Sequence, residues 1–248
     1  MANTSRLLDV PHGFTTRAGG VSQGPYASLN LGLNTLDRRE AVLENLGLAA
    51  KVAGVAGGQL ALVGQVHGDK VVQAPAPGES FVAPSIEADA VWTQRRGQAV
   101  GVTVADCVPL LLLDVRTRKV AAVHAGWKGA MARIAQKTVA AWVSEGSNPA
   151  DLRAAIGPCI RPCCYEVSDD LYRRFAGAFG ERAGVRKGER WHLDLPFAVR
   201  ASLVAAGVPE GQIDSEFSCT SCTPEHFFSH RRDRGVTGRQ MGYIVCGG

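Results

Sequence analysis

Two residues in one stretch of the sequence are of types that can bind metal ions or react with substrates. The stretch TVADCVPLLLLDVRTRKVAAVHAGWKG covers residues 103–129, with Cys107 near its start and His124 near its end. Its apolar runs predict a β-hairpin, and a turn centred on residues 116–117 places Cys107 opposite Gly126. Because side chains alternate between the two faces of a strand, Cys107 and the diagonal His124 share a face, with Cβ atoms about 7–8 Å apart. They could therefore converge on one metal ion or one reacting atom.

A third residue of the same kind is His67, in the sequence GQVHGDK. A cysteine with two histidines is a ligand set that zinc accepts, and three protein ligands leave the fourth position open for catalysis. Two alternatives use the same residues without metal. Cys107 could be a thiolate nucleophile with His124 as its base, or all three could be structural residues at strand ends and in the core. A bulge at Pro109 would also shift the hairpin register by one residue.

Regular elements must position these side chains, and apolar periodicity predicts where they lie. A helix is predicted over about 38–53, with Asp37 as its cap and Glu40 in capping-box register. Further helices are predicted over about 130–145, from near Ser168 to Gly180, and over about 195–206 with Pro196 in the first turn. Strands are predicted at 60–67, 88–93, 99–106, in the hairpin and at 153–157.

The order of these elements indicates a fold class. Residues 215–246 are predicted as strand, loop and strand, and residues 73–80 (QAPAPGES) as a loop too short to separate domains. Strands and helices mix without a strict βαβ rhythm, which favours an α+β fold with mixed sheets and covering helices over a doubly wound parallel sheet. One domain, residues 1–248, is expected.

Composition narrows the classes of function. The chain has 248 residues, is 46% apolar and 20% charged, and carries a net charge of +4 with scattered Lys and Arg. No block of like charges predicts nucleic-acid or membrane-surface binding. Neither a signal peptide nor an apolar run of about 18 residues is present, so a cytoplasmic protein is expected. In that compartment the seven cysteines are expected to be thiols, metal ligands or catalytic groups, not disulfides.

Further cysteines fall in two groups that could form a cysteine-rich zinc site. The first group has the spacing C-x3-C-C instead of C-x2-C, and the second C-x2-C stands alone, so spacing does not favour such a site. The residues are Cys159, Cys163 and Cys164 in GPCIRPCCYEV, and Cys219 and Cys222 in CTSC.

Six motifs occur in a fixed order between about His12 and Tyr243: FTTRAGGVSQGPYASLNLG, GQVHG, TVADCVPLLLLD, VHAGWKG, AIGPCIRPCCYEV and FFSHRRDRGVTGR. Together they strongly resemble the laccase-domain family of multicopper polyphenol oxidase-like proteins. That family is also described as zinc-dependent purine nucleoside phosphorylases and as peptidoglycan editing factors. The resemblance implies a single α/β/β/α layered domain. One departure is His230, which stands where the family more often has Tyr.

The resemblance also implies a metal site made of His67, Cys107 and His124, with Zn²⁺ as the expected ion. Copper is an alternative occupant, since it outcompetes zinc at most nitrogen and sulfur sites, and polyphenol oxidation with bound copper is one alternative activity. A complete multicopper centre is not expected, because the chain has six histidines and no His-x-His pair.

The activities implied are phosphorolysis of adenosine, inosine and S-methyl-5'-thioadenosine, and deamination of adenosine. Deamination would use a metal-activated water against C6 of adenine. The chain lacks the H-x-E and P-C-x-x-C motifs of zinc deaminases, so Asp106 or Asp69 would have to carry the proton. A different alternative is a hydrolase of cell-wall precursors that uses Cys107 or the metal. A non-enzymatic metal-binding protein is disfavoured by the open coordination position.

Phosphorolysis also needs cations for phosphate and polar groups for the nucleoside. Arg17, Lys128 and Arg231 are the candidate phosphate ligands, and Asn30 and Gln65 could hydrogen-bond the sugar or base. Each cation could instead be a solvated surface residue, and Asn30 a turn-capping amide. The expected partners are small molecules, a purine nucleoside and phosphate, without nucleic acid or membrane, for a monomer or homodimer.

Overall fold

A computed structural model describes residues 3–78, 84–215 and 217–247. Within these residues the chain forms five α-helices and thirteen β-strands. No helix in the described ranges is both long and apolar enough to cross a membrane. The helices are α1 (Arg39–Val52), α2 (Trp127–Met131), α3 (Ile134–Val143), α4 (Asp169–Phe179) and α5 (Leu195–Ala205). The strands are β1 (His12–Phe14), β2 (Leu60–Ala61), β3 (Val71–Gln73), β4 (Ala90–Thr93), β5 (Ala99–Val104), β6 (Val108–Asp114), β7 (Val120–Ala125), β8 (Leu152–Ile156), β9 (Glu166–Val167), β10 (Gly184–Lys187), β11 (Arg190–Leu193), β12 (Ile213–Asp214) and β13 (Gln240–Val245).

Two mixed sheets form the centre of the fold. One has four strands in the order β1-β13-β5-β2, and the other has six in the order β12-β8-β6-β7-β4-β3. Both contain parallel and antiparallel pairs, since β2 runs parallel to β5 and β3 parallel to β4. The predicted mixed-sheet fold is therefore confirmed.

Three hydrophobic cores separate four layers. Apolar residues of α1 pack on one face of the four-stranded sheet, and the opposite face packs against the six-stranded sheet. The outer face of the six-stranded sheet is covered by α3, α4 and α5. Along β6 the alternation is clear, because Leu110 and Leu112 face the helices while Leu111 and Leu113 face the other sheet. The layers therefore follow the predicted α/β/β/α order.

The β6–β7 hairpin has the register that the sequence predicts. Val108 pairs with Ala125, Pro109 with His124 and Leu113 with Val120. Pro109 thus produces no shift, because it lies within a regular stretch of the ladder. The same register brings Cys107, just before β6, across from Gly126.

Several predicted boundaries were wrong. The predicted strand 60–67 is a short β2 followed by irregular chain, and His67 adopts a positive φ of 60° that ends any extended run. The predicted helix 130–145 is two helices, because Arg133 between them is left-handed, with φ of 63°. Asp37 does not cap α1: Arg38 is the N-cap residue, and Asp37 instead accepts hydrogen bonds from Asn30 and from the Arg38 N–H.

The first strand predicted in residues 215–246 is also wrong, because residues 215 and 217–218 are irregular and β12 ends at Asp214. The predicted starts of two helices hold within a residue or two. Ser168 caps α4 by accepting from the Leu171 N–H, and Pro196 lies in the first turn of α5. The three-stranded sheet β10-β11-β9 was not predicted, since its short strands lack a clear alternation. Of the loop predicted at 73–80, residues 79 and 80 lie outside the described residues, as does residue 216 of the predicted C-terminal strand–loop–strand.

Candidate metal centre

The side chains of His67, Cys107 and His124 converge at one point. One ligand atom from each lies within 4.8 Å of the others, and the two imidazole rings meet edge to face with centroids 4.8 Å apart. Gly126 lies beneath them: a Cβ there would be 3.1 Å from His67 Cδ2 and 3.2 Å from Cys107 Sγ. The absence of a side chain at Gly126 therefore leaves room for the three donors to approach each other.

Asp89 holds two of the three donors in place. It is fully buried just before β4, and its Oδ1 lies 2.7 Å from His124 Nδ1. The same carboxylate accepts backbone N–H groups at 3.3 Å from Val66, 3.0 Å from His67 and 2.6 Å from Gly68. The buried Asp89 carboxylate thus fixes the left-handed turn that carries His67. Because it binds Nδ1 of His124, it also leaves Nε2 of that ring free to coordinate, and carboxylates orient histidine ligands in this way in metal sites.

The electrostatics of the cluster favour a cysteine thiolate. Burial opposes ionisation of Cys107, but the charge of His124 and hydrogen bonds from His124 and His67 outweigh it and lower the pKa of the thiol to about 6. Burial likewise opposes the charged form of His124, yet Cys107 and the hydrogen bond to Asp89 raise the pKa of the imidazole to about 9. The metal-free cluster is therefore a thiolate–imidazolium pair near neutral pH. A thiolate with two imidazoles fits zinc or copper.

The cluster lies in a cavity of about 690 Å³. That volume falls in the range of small-molecule sites. The cavity is lined by apolar and aromatic side chains, among them Trp127 and Tyr165, and by three arginines, Arg39, Arg231 and Arg239. Aromatic side chains and arginines thus line the same cavity as the candidate metal ligands.

Of the predicted substrate contacts, Arg231 and Gln65 line this cavity. Arg231 donates its Nη1 to the Glu166 carbonyl at 2.7 Å, so part of its guanidinium is already engaged. Gln65 is bound at both ends by Thr103: its Nε2 donates to the carbonyl at 2.8 Å and its Oε1 accepts the N–H at 2.8 Å. Gln65 therefore joins the chain before His67 to β5.

The other three predicted contacts are not among the residues that line the cavity. Arg17 donates to the carbonyls of Ala27 and Pro224, and Lys128 is exposed. Asn30 is fully buried, and both ends of its amide are satisfied by neighbouring groups. Arg17 and Asn30 thus hold loops together in this structure, and the roles of all three residues toward a substrate stay predictions.

The two proposed proton carriers differ in placement. Asp106 lines the cavity, but one carboxylate oxygen accepts the Thr220 hydroxyl at 2.6 Å and the other the Arg231 N–H at 2.7 Å. Asp69 does not line the cavity; it is half-exposed and pairs with Lys137. Asp106 is therefore the better placed of the two, although both of its oxygens already have partners.

Sequence reasoning missed Asp89, Arg39, Arg239, Trp127 and Tyr165. Trp127 and Tyr165 lie inside quoted motifs, HAGWKG and CCYEV, so their proximity to candidate ligands was a usable signal. Asp89 lies 35 residues from His124, and no local pattern links the two.

Known proteins share the fold and much of the sequence of this chain. The crystal structure of YlmD from Geobacillus stearothermophilus matches with a TM-score of 0.89 at 35% identity, covering 96% of this chain and 92% of that one. The fold is therefore that of YlmD-like proteins. A protein of Deinococcus radiodurans named purine nucleoside phosphorylase is 44% identical over 238 residues, 96% of this chain and 89% of its own length. Escherichia coli YfiH, also named purine nucleoside phosphorylase, is 35% identical, covering 93% and 91%.

The family itself is shown by a model that matches residues 11–247, described as multi-copper polyphenol oxidoreductase laccase. The chain belongs to this family, which confirms the resemblance carried by the six ordered motifs.

Proposed function

We propose that this protein is a zinc-dependent purine nucleoside phosphorylase that cleaves adenosine, inosine or S-methyl-5'-thioadenosine with phosphate. The observation that carries the proposal is the shared cavity, in which the His67–Cys107–His124 cluster, aromatic side chains and three arginines meet. The names of the relatives support the same reaction class.

Phosphorolysis requires an anion site next to a nucleoside site. Arg39 is exposed at the start of α1 and lines the cavity, and within the described residues it has no hydrogen bond or ion pair. Among the residues that the structure describes, the guanidinium of Arg239 donates through Nη1 to the carbonyls of Thr237 and Gly238, so its remaining donors can point to a ligand. Guanidinium groups bind phosphate through paired N–H donors. We therefore assign phosphate binding to Arg39 and Arg239, with Arg231 beside them.

The departing purine needs stabilisation as the glycosidic bond breaks. Trp127 and Tyr165 line the cavity wall, where Arg231 lies over the Tyr165 ring, 5.2 Å from its centroid. We assign stacking of the purine base to these two aromatic side chains. When bound to His67, Cys107 and His124, a divalent ion would supply Lewis-acid stabilisation of negative charge. Asp89 contributes by keeping His124 in the orientation that the ligand set requires.

Arg39→Ala tests the phosphate assignment, with Arg38→Ala as its matched control. Arg38 precedes it in sequence, is exposed and does not line the cavity. Arg39→Ala should lose charge-assisted hydrogen bonds to phosphate that contribute about 1.5–3 kcal/mol. We therefore expect its KM for phosphate to rise about tenfold or more, while kcat changes less. The rate is measured by chromatography of the free base and the sugar 1-phosphate, which is ribose 1-phosphate from adenosine or inosine and 5-methylthioribose 1-phosphate from S-methyl-5'-thioadenosine. Inosine formed from adenosine reports deamination. Equal KM values in the two variants would refute the assignment.

A second candidate is a cysteine hydrolase, and one observation favours it. Asp89 is hydrogen-bonded to His124, and His124 to Cys107. The pKa of Cys107 is lowered to about 6, as expected of a thiolate nucleophile. Cell-wall precursors are the substrate class proposed for it. Hydrolysis that survives chelation and stops on alkylation of Cys107 would support this function, whereas activity that requires restored metal supports the phosphorylase.

A further inference from the structure

A second cluster of sulfur ligands lies outside the cavity cluster. Two loops bring together Cys163, Cys164, Cys219 and Cys222, with one sulfur from each within 4.8 Å of the others. Cys222 Sγ is 3.4 Å from Cys163 Sγ and 3.3 Å from Cys164 Sγ. All four are free thiols. The sequence spacing did not favour this grouping, because the first group is C-x3-C-C and the second C-x2-C stands alone. Only the fold makes the two pairs neighbours.

The surroundings of Cys219 favour a thiolate. The Arg161 N–H points at Cys219 Sγ at 3.4 Å, and the N–H groups of Ser221 and Cys222 also donate to it. Successive backbone N–H groups that converge on one atom form a concave site for negative charge. The C-x2-C turn is thus already folded around the Cys219 sulfur.

The loop that carries the second pair is anchored to the rest of the protein. The Thr220 N–H donates to the Cys159 carbonyl at 3.0 Å, and the Thr223 hydroxyl donates to the Cys219 carbonyl at 2.7 Å. Arg232 donates to the Thr220 carbonyl at 3.0 Å. Preorganised ligands lower the entropic cost of binding. The backbone that carries Cys219 and Cys222 is therefore held in place by contacts independent of any ion.

We propose that Cys163, Cys164, Cys219 and Cys222 form a structural binding site for a second metal ion, a soft divalent cation such as zinc. Four sulfur ligands select zinc among the common divalent ions and complete a tetrahedral shell. No position is left for substrate, so the site stabilises structure. Each thiol that is still protonated releases its proton to solvent on binding, and no electron is transferred.

The site would stabilise the wall of the cavity. Tyr165 directly follows Cys164 and lines the cavity, while Thr220, between the other two cysteines, donates to Asp106 Oδ1 at 2.6 Å. Asp106 adjoins Cys107. A metal ion between the two loops would hold these contacts together, and it would do so whatever reaction the cavity performs.

Metal content per chain tests the proposal. Protein purified with reductant and supplied with zinc should retain two equivalents after buffer exchange, as measured by plasma mass spectrometry. The double variant Cys163→Ser/Cys222→Ser should retain one, since both side chains are exposed and serine does not replace a thiolate. Cys246→Ser, at a buried cysteine outside both clusters, is the matched control and should retain two.

Cys107→Ala separates the two sites. It should retain one equivalent, and cobalt substituted into this variant should show the charge-transfer band of thiolate ligands. The double variant should unfold at a lower temperature than the control while still binding zinc in the cavity. The proposal is overturned if wild-type protein holds one equivalent that Cys107→Ala abolishes. It is also overturned if thiol titration of the metal-supplied protein, freed of reductant and denatured with a chelator present, shows a disulfide among the four cysteines.

Discussion

Replacing Asp89 with asparagine removes the charge that connects the His67 turn to His124. The carboxylate is fully buried and accepts from three backbone N–H groups and from His124 Nδ1. An asparagine amide has one acceptor oxygen. If that oxygen keeps the contact with His124, the NH₂ group faces the N–H groups of Val66 and Gly68, and two hydrogen bonds are lost.

The magnitude follows from this loss. Changing a partner that orients a metal ligand costs about 10–100-fold in metal affinity, which corresponds to about 1.4–2.8 kcal/mol. We expect Asp89→Asn to weaken zinc binding by that factor, in competition titrations against a chromophoric chelator. The control is Asp69→Asn, a half-exposed acid on the same loop that pairs with Lys137, and its affinity should match wild type. Wild-type affinity in Asp89→Asn would refute the reasoning.

Three further predictions concern protons, space and packing. The pKa of Cys107 is lowered to about 6 and that of His124 raised to about 9, so metal binding to the His67–Cys107–His124 cluster should release about one proton per ion between those pH values and more below the lower one. Calorimetry of the Cys163→Ser/Cys222→Ser variant in buffers of different ionisation enthalpy measures this, and release that does not change with pH would contradict it. In the metal-free protein, stabilisation from the thiolate is lost as pH falls through about 6, and stabilisation from the imidazolium is lost as pH rises through about 9. Gly126→Ala places a Cβ 3.2 Å from Cys107 Sγ and should weaken metal binding. Its control, Gly47→Ala, adds a methyl group in open space on α1; it should bind metal normally and raise the free energy of unfolding in urea by about 0.5–1 kcal/mol. Equal metal affinities in the two variants would count against the crowding argument. Trp142→Ala removes a fully buried indole between the six-stranded sheet and its helices. It should lower the free energy of unfolding by about 3–5 kcal/mol, whereas a loss below about 1 kcal/mol would show that the core is packed differently.

The sequence was informative where the structure is local and periodic. The apolar runs and the turn gave the correct register of the hairpin, and with it the pairing of Pro109 with His124. The caps and stops of α4 and α5 also agree with sequence signals, because capping is decided within four residues.

The sequence was uninformative where distant groups decide the conformation. His67 was placed on a strand, since nothing near it shows that Asp89 holds its N–H in a left-handed turn. Arg39 was missed because an isolated arginine carries no local sign that it lines a cavity, whereas Arg239 ends the motif FFSHRRDRGVTGR and its place there was a usable signal. Likewise, the four-cysteine cluster depends on tertiary contacts between residues 161–165 and 219–222.

Phosphate dependence of nucleoside cleavage is the most direct test of the central claim. Protein freed of metal by a chelator and then reloaded with zinc would be incubated with adenosine, with and without phosphate, and the products identified by mass spectrometry. The account predicts adenine and ribose 1-phosphate in equal amounts, only when both zinc and phosphate are present and not with Cys107→Ala. Cleavage to free ribose, or no cleavage of any purine nucleoside by the zinc-loaded protein, would contradict it.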